Sequence, residues 1–592
     1  MIPANPILVR VVHGGSRRVR HLWMRIGYLG VLLFVVLVTM VADVGGSVST
    51  LADLAKGAST VFMWASITQL SLMCFLAPVF TAGAITQERD AQTFNILLAT
   101  PLSNAQIVLG SLMSRLYFLL VLLLAGLPIF LLTMVYGGVT LAQIIQSFAI
   151  AGATAVLTGS LAICISMIRV GTQRTIFSFY LMIGLYLAAV YALGKWDVTW
   201  IAQAPANVDG ERLSWLAAFH PFLALDVALN RIPAPETAML GDHGAITLYF
   251  LAFPHRAYVV LTLLLSLMLT GVAALFVRRP KETQGGLWQS LANRVLHRGG
   301  DERRRKPRHV WNNPVAWREA TTRASASVRG FLQIALIGGG LLTAILLLLT
   351  HIDSGDAAIT RKWLSVVLMV ELGLILLAAT NTAATSMTRE KESQTLELLL
   401  ATPLTSRYVV WGKLRGLITF TFPLVAVPTF TVLVLGLHGV FTGADDPVVP
   451  IEAALETAGL LLAYAAAACM LGLHVSLHSK KTVQSVMVSI GLLVVGCLIV
   501  TFVCDSIVTS AGVVGAAIAP ITPFTGVETL VNPVRLFDGS AQKLAAQFGA
   551  VRKWSAAGSG ITVGIYLLTV GWFYKSMVRN FDMTLRRQSA QL

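Results

Sequence analysis

Apolar residues come in runs of about 20, enough for a helix to cross a roughly 30 Å hydrocarbon layer. In the first half they lie near 24–43, 60–85, 108–136, 142–168, 175–193 and 257–277. In the second half they lie near 330–350, 363–386, 409–436, 452–477, 483–503 and 559–578. Backbone groups in lipid must be bonded within their own segment, so these runs predict helices. The fold class expected is all-α, a polytopic membrane protein with about 12 transmembrane helices.

Inside this oily chain one polar stretch is written twice. Thr86-Gln-Glu-Arg-Asp-Ala-Gln-Thr-Phe-Asn-Ile-Leu-Leu-Ala-Thr-Pro-Leu-Ser103 returns as Thr388-Arg-Glu-Lys-Glu-Ser-Gln-Thr-Leu-Glu-Leu-Leu-Leu-Ala-Thr-Pro-Leu-Thr405. On a helix, Glu88, Gln92 and Asn95 would share one face, as would Glu390, Gln394 and Glu397, with Phe94, Leu97, Leu98, Leu396, Leu399 and Leu400 largely opposite. This predicts a short amphipathic helix at the membrane surface, stopped by Pro101 and Pro403. Ser103-Asn-Ala-Gln106 then reads as a capping box opening the third span.

The repeat extends further. Pro221 and Pro523 are separated by the same 302 positions as Pro101 and Pro403, and Asn230 and Asn532 stay in register behind them. Asn5-Pro6 with Arg10 answers Asn313-Pro314 with Arg318, and Arg174-Thr175 answers Lys481-Thr482, both with small gaps. Four landmarks in one order describe two parallel six-span repeats with the same orientation. The boundaries expected are 1–277 and 313–592 for the halves and 278–312 for a linker. The connections 194–256 and 504–557 read as short outer or re-entrant helices.

Charge and composition then narrow the class. Only 12 % of residues are charged and mean hydropathy is +0.75, far from a soluble domain. The net charge of +16 is concentrated at the N-terminus, the linker and the C-terminus. That is the positive-inside pattern and not a nucleic-acid surface; it puts both termini and the linker in the cytoplasm, next to anionic membrane lipid. The linker carries ten Lys or Arg against three acidic residues. The five cysteines form no CxxC pair, and no nucleophile triad, carboxylate pair or metal-ligand cluster has usable spacing.

The pattern Glu-Arg-Asp-x-x-Thr-x-Asn-x-Leu-Leu-x-Thr-Pro-Leu at 88–102, and its copy at 390–404, resembles the signature of type-2 ATP-binding-cassette (ABC-2) exporter permeases. In that family it lies in the loop that carries the coupling helix. The resemblance implies a membrane permease coupled through helices at 86–101 and 388–403 to a separate cytoplasmic ATPase, in two copies, one per docking helix. It places Glu88, Arg89, Asp90, Thr93 and Asn95, with Glu390, Lys391, Glu392, Thr395 and Glu397, against that subunit, and the chain in the cell (inner) membrane. Asn95 departs from the Glu usual there. The chain has no GxxxxGK[ST] phosphate loop; Gly194-Lys195 and Gly412-Lys413 lack its other residues, so ATP is expected in the partner and no cofactor here.

Glu371 stands well inside the eighth span, where a charge costs on the order of 2.5–3.5 kcal/mol on insertion scales. Gln69 lies 302 positions earlier. The two are candidates for a pathway of unknown cargo. The alternatives are a parallel-repeat secondary transporter, which would need more coupling carboxylates than Glu371, and a non-transporting membrane assembly factor of the same fold.

Overall fold

The computed structural model describes residues 19–44, 50–90, 99–168 except 136, parts of 182–190, 215–234 except 233, 245–277, 313–396 except 326, 404–443, 447–533, 536 and 541–589. Among them the secondary structure is helical, without strands. The chain divides into two compact units, Met1–Pro307 and Arg308–Leu592.

The first unit contains α1 (Val19–Val44), α2 (Leu51–Asp90), α3 (Asn104–Ala125), α4 (Leu127–Val135), α5 (Leu141–Ile168), α6 (Pro221–Ala228), α7 (Ala245–Ala252) and α8 (Pro254–Phe276). The second contains α9 (Pro314–Ser325), α10 (Ser327–Ser354), α11 (Ala357–Ala384), α12 (Ser386–Glu392), α13 (Ser406–Thr442), α14 (Glu452–His478), α15 (Thr482–Ser510), α16 (Pro523–Val531) and α17 (Ala541–Ser589). Nine helices among the described residues are long and apolar enough to cross a membrane. Two shorter apolar stretches, Met24–Met40 and Leu336–Ile352, fall where hydropathy puts the first and seventh spans. The protein is a multi-pass membrane protein. The expected fifth span, near 175–193, lies mostly outside the described residues.

Helix starts in the first unit are written locally. Thr50 and Asp53 bond reciprocally at the start of α2, Ser103 and Gln106 at α3, and Thr140 and Gln143 at α5. Each exchange satisfies amide groups that a helix N-terminus leaves over. The first of them explains why α2 begins at Leu51, earlier than the hydropathy run at 60–85 suggests. Ahead of Thr140, Gly137 and Gly138 take φ of 84° and 76°. A Cβ on Gly138 would lie 2.2 Å from the Ala55 carbonyl oxygen. Gly138→Ala is therefore expected to cost at least about 2 kcal/mol, from left-handed backbone strain plus a clash with immovable main chain. Thermal unfolding in detergent checks this.

Within each unit, hydroxyl and small residues form the helix seams. On α8, Thr262, Ser266 and Thr270 are buried, whereas Leu263, Leu264, Leu267 and Met268 are exposed. The buried row faces α5, where the Thr154 hydroxyl lies 2.8 Å from that of Tyr258. This is the inverse of a soluble amphipathic helix: lipid takes the leucines and the neighbouring helix takes the hydroxyls. On α14, Gly472 lets the helix approach α11 so closely that a Cβ would lie 2.6 Å from the Thr380 carbonyl oxygen.

The short helices α6 and α16 open on Pro221 and Pro523, as the repeat requires, each behind a 3-10 turn. The non-helical carbonyls ahead of them are met by tyrosines. Tyr186 donates to the Phe219 oxygen, and Tyr566 donates to that of Ile521 at 3.0 Å, the corresponding residue 302 positions on. Such bonds satisfy carbonyls that the ends of the 3-10 turns leave over.

Candidate functional site

The second copy of the repeated motif begins as a continuation of α11. The helix breaks at Thr385 and resumes as α12, ending at Ser393. Gln394 then adopts a left-handed φ of 56°, and helical geometry returns at Thr395 and Leu396. The expected continuous helix from 388 is thus two pieces with a turn between them, so Glu390 and Gln394 do not share a helix face. Side-chain hydroxyls serve the carbonyls at the turn, of which that of Arg389 also keeps the Ser393 amide and that of Glu390 has lost the Gln394 amide to Lys391. The Ser393 hydroxyl donates to Arg389 oxygen at 2.8 Å, and that of Thr395 donates to Glu390 oxygen at 3.4 Å.

Every other end of this segment is tied into its own unit. Thr385 supplies no side-chain cap, and the Ser476 hydroxyl of α14 accepts the Met387 and Thr388 amides instead, both at 3.1 Å. The Lys391 ammonium donates to the carbonyl oxygens of Ser476, Leu477 and Ser479 at 2.5–3.2 Å. The Glu392 carboxylate accepts from the Thr482 amide at 2.8 Å and its hydroxyl at 2.7 Å. A cation thus sits on the last carbonyls of α14 and an anion on the first amide of α15, each matched to the partial charge of a helix end.

Beneath Glu390 lies a buried charge cluster. Lys413, fully buried on α13, places its ammonium 2.8 Å from Glu319 and 2.8 Å from Glu390. Arg318 also pairs with Glu390, and Ser386 donates to Glu319 at 3.0 Å. Arg318 and Glu319 belong to α9, whose first turn is capped by Asn313 ahead of Pro314. Charges as deep as Lys413 and Glu319 are tolerated only when paired and hydrogen-bonded, and here they are, with Arg318 closing the cluster from its exposed edge. Helix α9 reaches them because Gly412 and Gly416 leave a groove along α13. A Cβ on Gly416 would sit 2.6 Å from that of Glu319 and 2.8 Å from the Ala316 oxygen.

The side chains expected at an external surface therefore divide. Glu390, Lys391 and Glu392 are engaged within the unit, Glu392 while remaining exposed, and Arg389, Ser393, Gln394 and Thr395 are exposed around the turn. Glu397 lies outside the described residues. In the first unit, the backbone of Glu88, Arg89 and Asp90 completes α2; their side chains, and all of Thr93 and Asn95, lie outside the described residues.

Among the described residues, neither pathway candidate has a hydrogen-bond partner. Gln69 is fully buried on α2 with neither amide atom bonded to any of them, and the same holds for both buried carboxyl oxygens of Glu371 on α11. Gly340 on α10 gives Glu371 its room, since a Cβ there would meet its Oε1 at 2.7 Å. Each residue is placed within its own unit.

Comparison with known proteins bears on this architecture. The family model described as "ABC-2 family transporter protein" matches residues 16–280 and again 334–532. Each matched region contains one copy of the repeated motif. No relative matches among curated proteins.

Proposed function

The chain belongs to the ABC-2 transporter family, and on that footing we propose that it is the membrane permease of an ATP-driven exporter whose motor is a separate ATPase. Each half offers one docking segment, so one chain engages two ATPase subunits on the cytoplasmic side. ATP binds and is hydrolysed in those subunits. Their closure pushes the two segments, and each six-span bundle moves with its own segment to carry the cargo across.

The observation that carries this reading is the two-sided segment at 386–396. Its inner side is bonded to four helices of its own unit, and its outer side presents Arg389, Ser393, Gln394 and Thr395 at a sharp turn. A solvated loop would need no such anchorage. A loop that receives force from a partner does.

Arg389→Glu combined with Thr395→Lys leaves the internal bonds of Lys391 and Glu392 in place. It is expected to lower the amount of phosphate-loop ATPase that copurifies roughly tenfold, the equivalent of about 1.4 kcal/mol of binding. Undiminished association would sink the docking role of this segment.

A further inference from the structure

We propose that Lys391 and Glu392 are positioning residues: they lash the docking segment to the turn between α14 and α15, so that segment, turn and both helix ends move as one body. This rests on the reading of 386–396 as a docking segment, but the lashing itself is a property of the chain alone.

The geometry is specific. Turn residues Ser479, Lys480 and Lys481 join the C-terminus of α14 to the N-terminus of α15. A helix C-terminus exposes carbonyl oxygens and a helix N-terminus exposes amides, with opposite partial charges. Two adjacent side chains of opposite charge serve the two ends at once. Lys391 takes the carbonyls of Ser476, Leu477 and Ser479, and Glu392 takes both donors of Thr482. Ser476 returns a third tie by capping the start of α12. These bonds link residues 85 to 90 positions apart in sequence. A segment serving only as an external contact surface would not commit two adjacent charges to helix ends of its own unit.

The sequence of the first half keeps the same order of charges. Arg89 and Asp90 stand where Lys391 and Glu392 stand, and Thr175 follows Arg174 as Thr482 follows Lys481. Force entering at either docking segment would then pass to its fourth and fifth spans directly, without having to bend the preceding helix, α2 or α11, first.

The test uses spin-label distances in the full chain, with the five native cysteines replaced and new cysteines at Ser393 and Lys480, both exposed. With Lys391 and Glu392 intact, one narrow distance distribution is expected, unchanged by ATP-vanadate trapping of any copurified ATPase. With Lys391→Met and Glu392→Ala together, the distribution should at least double in width, while ATPase copurification, measured on the same double variant with Ser393 and Lys480 left native and unlabelled, holds. A narrow distribution in the double variant overturns the proposal. So does loss of the ATPase from it, because the two side chains would then be partner contacts. If no ATPase copurifies even with the unaltered chain, the docking reading fails, and the widths measured without nucleotide still decide the lashing. Glu392→Asp, which keeps the charge, should restore most of the narrowness, whereas a chain that had merely unfolded would not recover.

Discussion

Lys413→Met is expected to destabilise the second unit by about 3–5 kcal/mol, because it strips the shared cation from two buried carboxylates. Glu390 retains Arg318 and Glu319 retains the Ser386 hydroxyl, so the loss is that of the one cation both carboxylates share. The first half shows how the chain manages without the pair. Where the second has Glu319 and Lys413, the corresponding residues are Val11 and Ser111, so both charges are missing together. The double variant Glu319→Val with Lys413→Ser should accordingly recover more than half of the loss, since replacing a buried pair entirely is often near neutral. Reversible unfolding in mixed micelles, run on both singles and the double, measures the coupling. A Lys413→Met variant within about 1 kcal/mol of the parent would show that the cluster is not held by this ammonium.

Gly416→Leu is expected to lift α9 from its groove. Alanine in place of a helical glycine ordinarily gains about 1 kcal/mol from propensity. Here the first added carbon already meets Glu319 Cβ at 2.6 Å and the Ala316 carbonyl oxygen at 2.8 Å. The second atom is main chain and cannot rotate away, so even Gly416→Ala should lose about 1–3 kcal/mol net of that gain, and leucine more. Two measurements follow: a lower unfolding temperature, and faster tryptic cleavage after Arg318 once α9 is no longer seated. Unchanged cleavage with leucine at 416 would mean that α9 is held elsewhere.

The spans were legible because a bilayer leaves one signal strong enough to read alone, a run of about 20 apolar residues. The Ser103–Gln106 box was legible because both partners lie within one turn. Residues 302 apart put Pro221 and Pro523 in register, inside connections that read as short helices. The charge cluster was not. Lys413 and Glu319 are 94 positions apart, and in the sequence Gly412-Lys413 is no more than a pair that fails to make a phosphate loop. Its meaning depends on α9 lying along Gly412 and Gly416, a tertiary fact. The break at Gln394 was equally hidden, since neither Ser393 nor Gln394 is a strong helix breaker. What selects the turn is the set of partners on α14 and α15 that Lys391 and Glu392 reach. The motif itself was visible, but the direction in which its charges point was not, because a helical wheel assumes an unbroken helix.

Helix α17 holds 49 residues, about 74 Å of continuous rod at 1.5 Å per residue. Its apolar window, Gln547–Phe581, accounts for only part of that length, and the remainder carries Arg586 and Arg587 past the greasy section. Such a member is a lever arm. A tilt too small to notice at mid-membrane becomes a displacement of ångströms at its tip, so a reporter fused behind Ser589 would read the motion of the second lobe amplified.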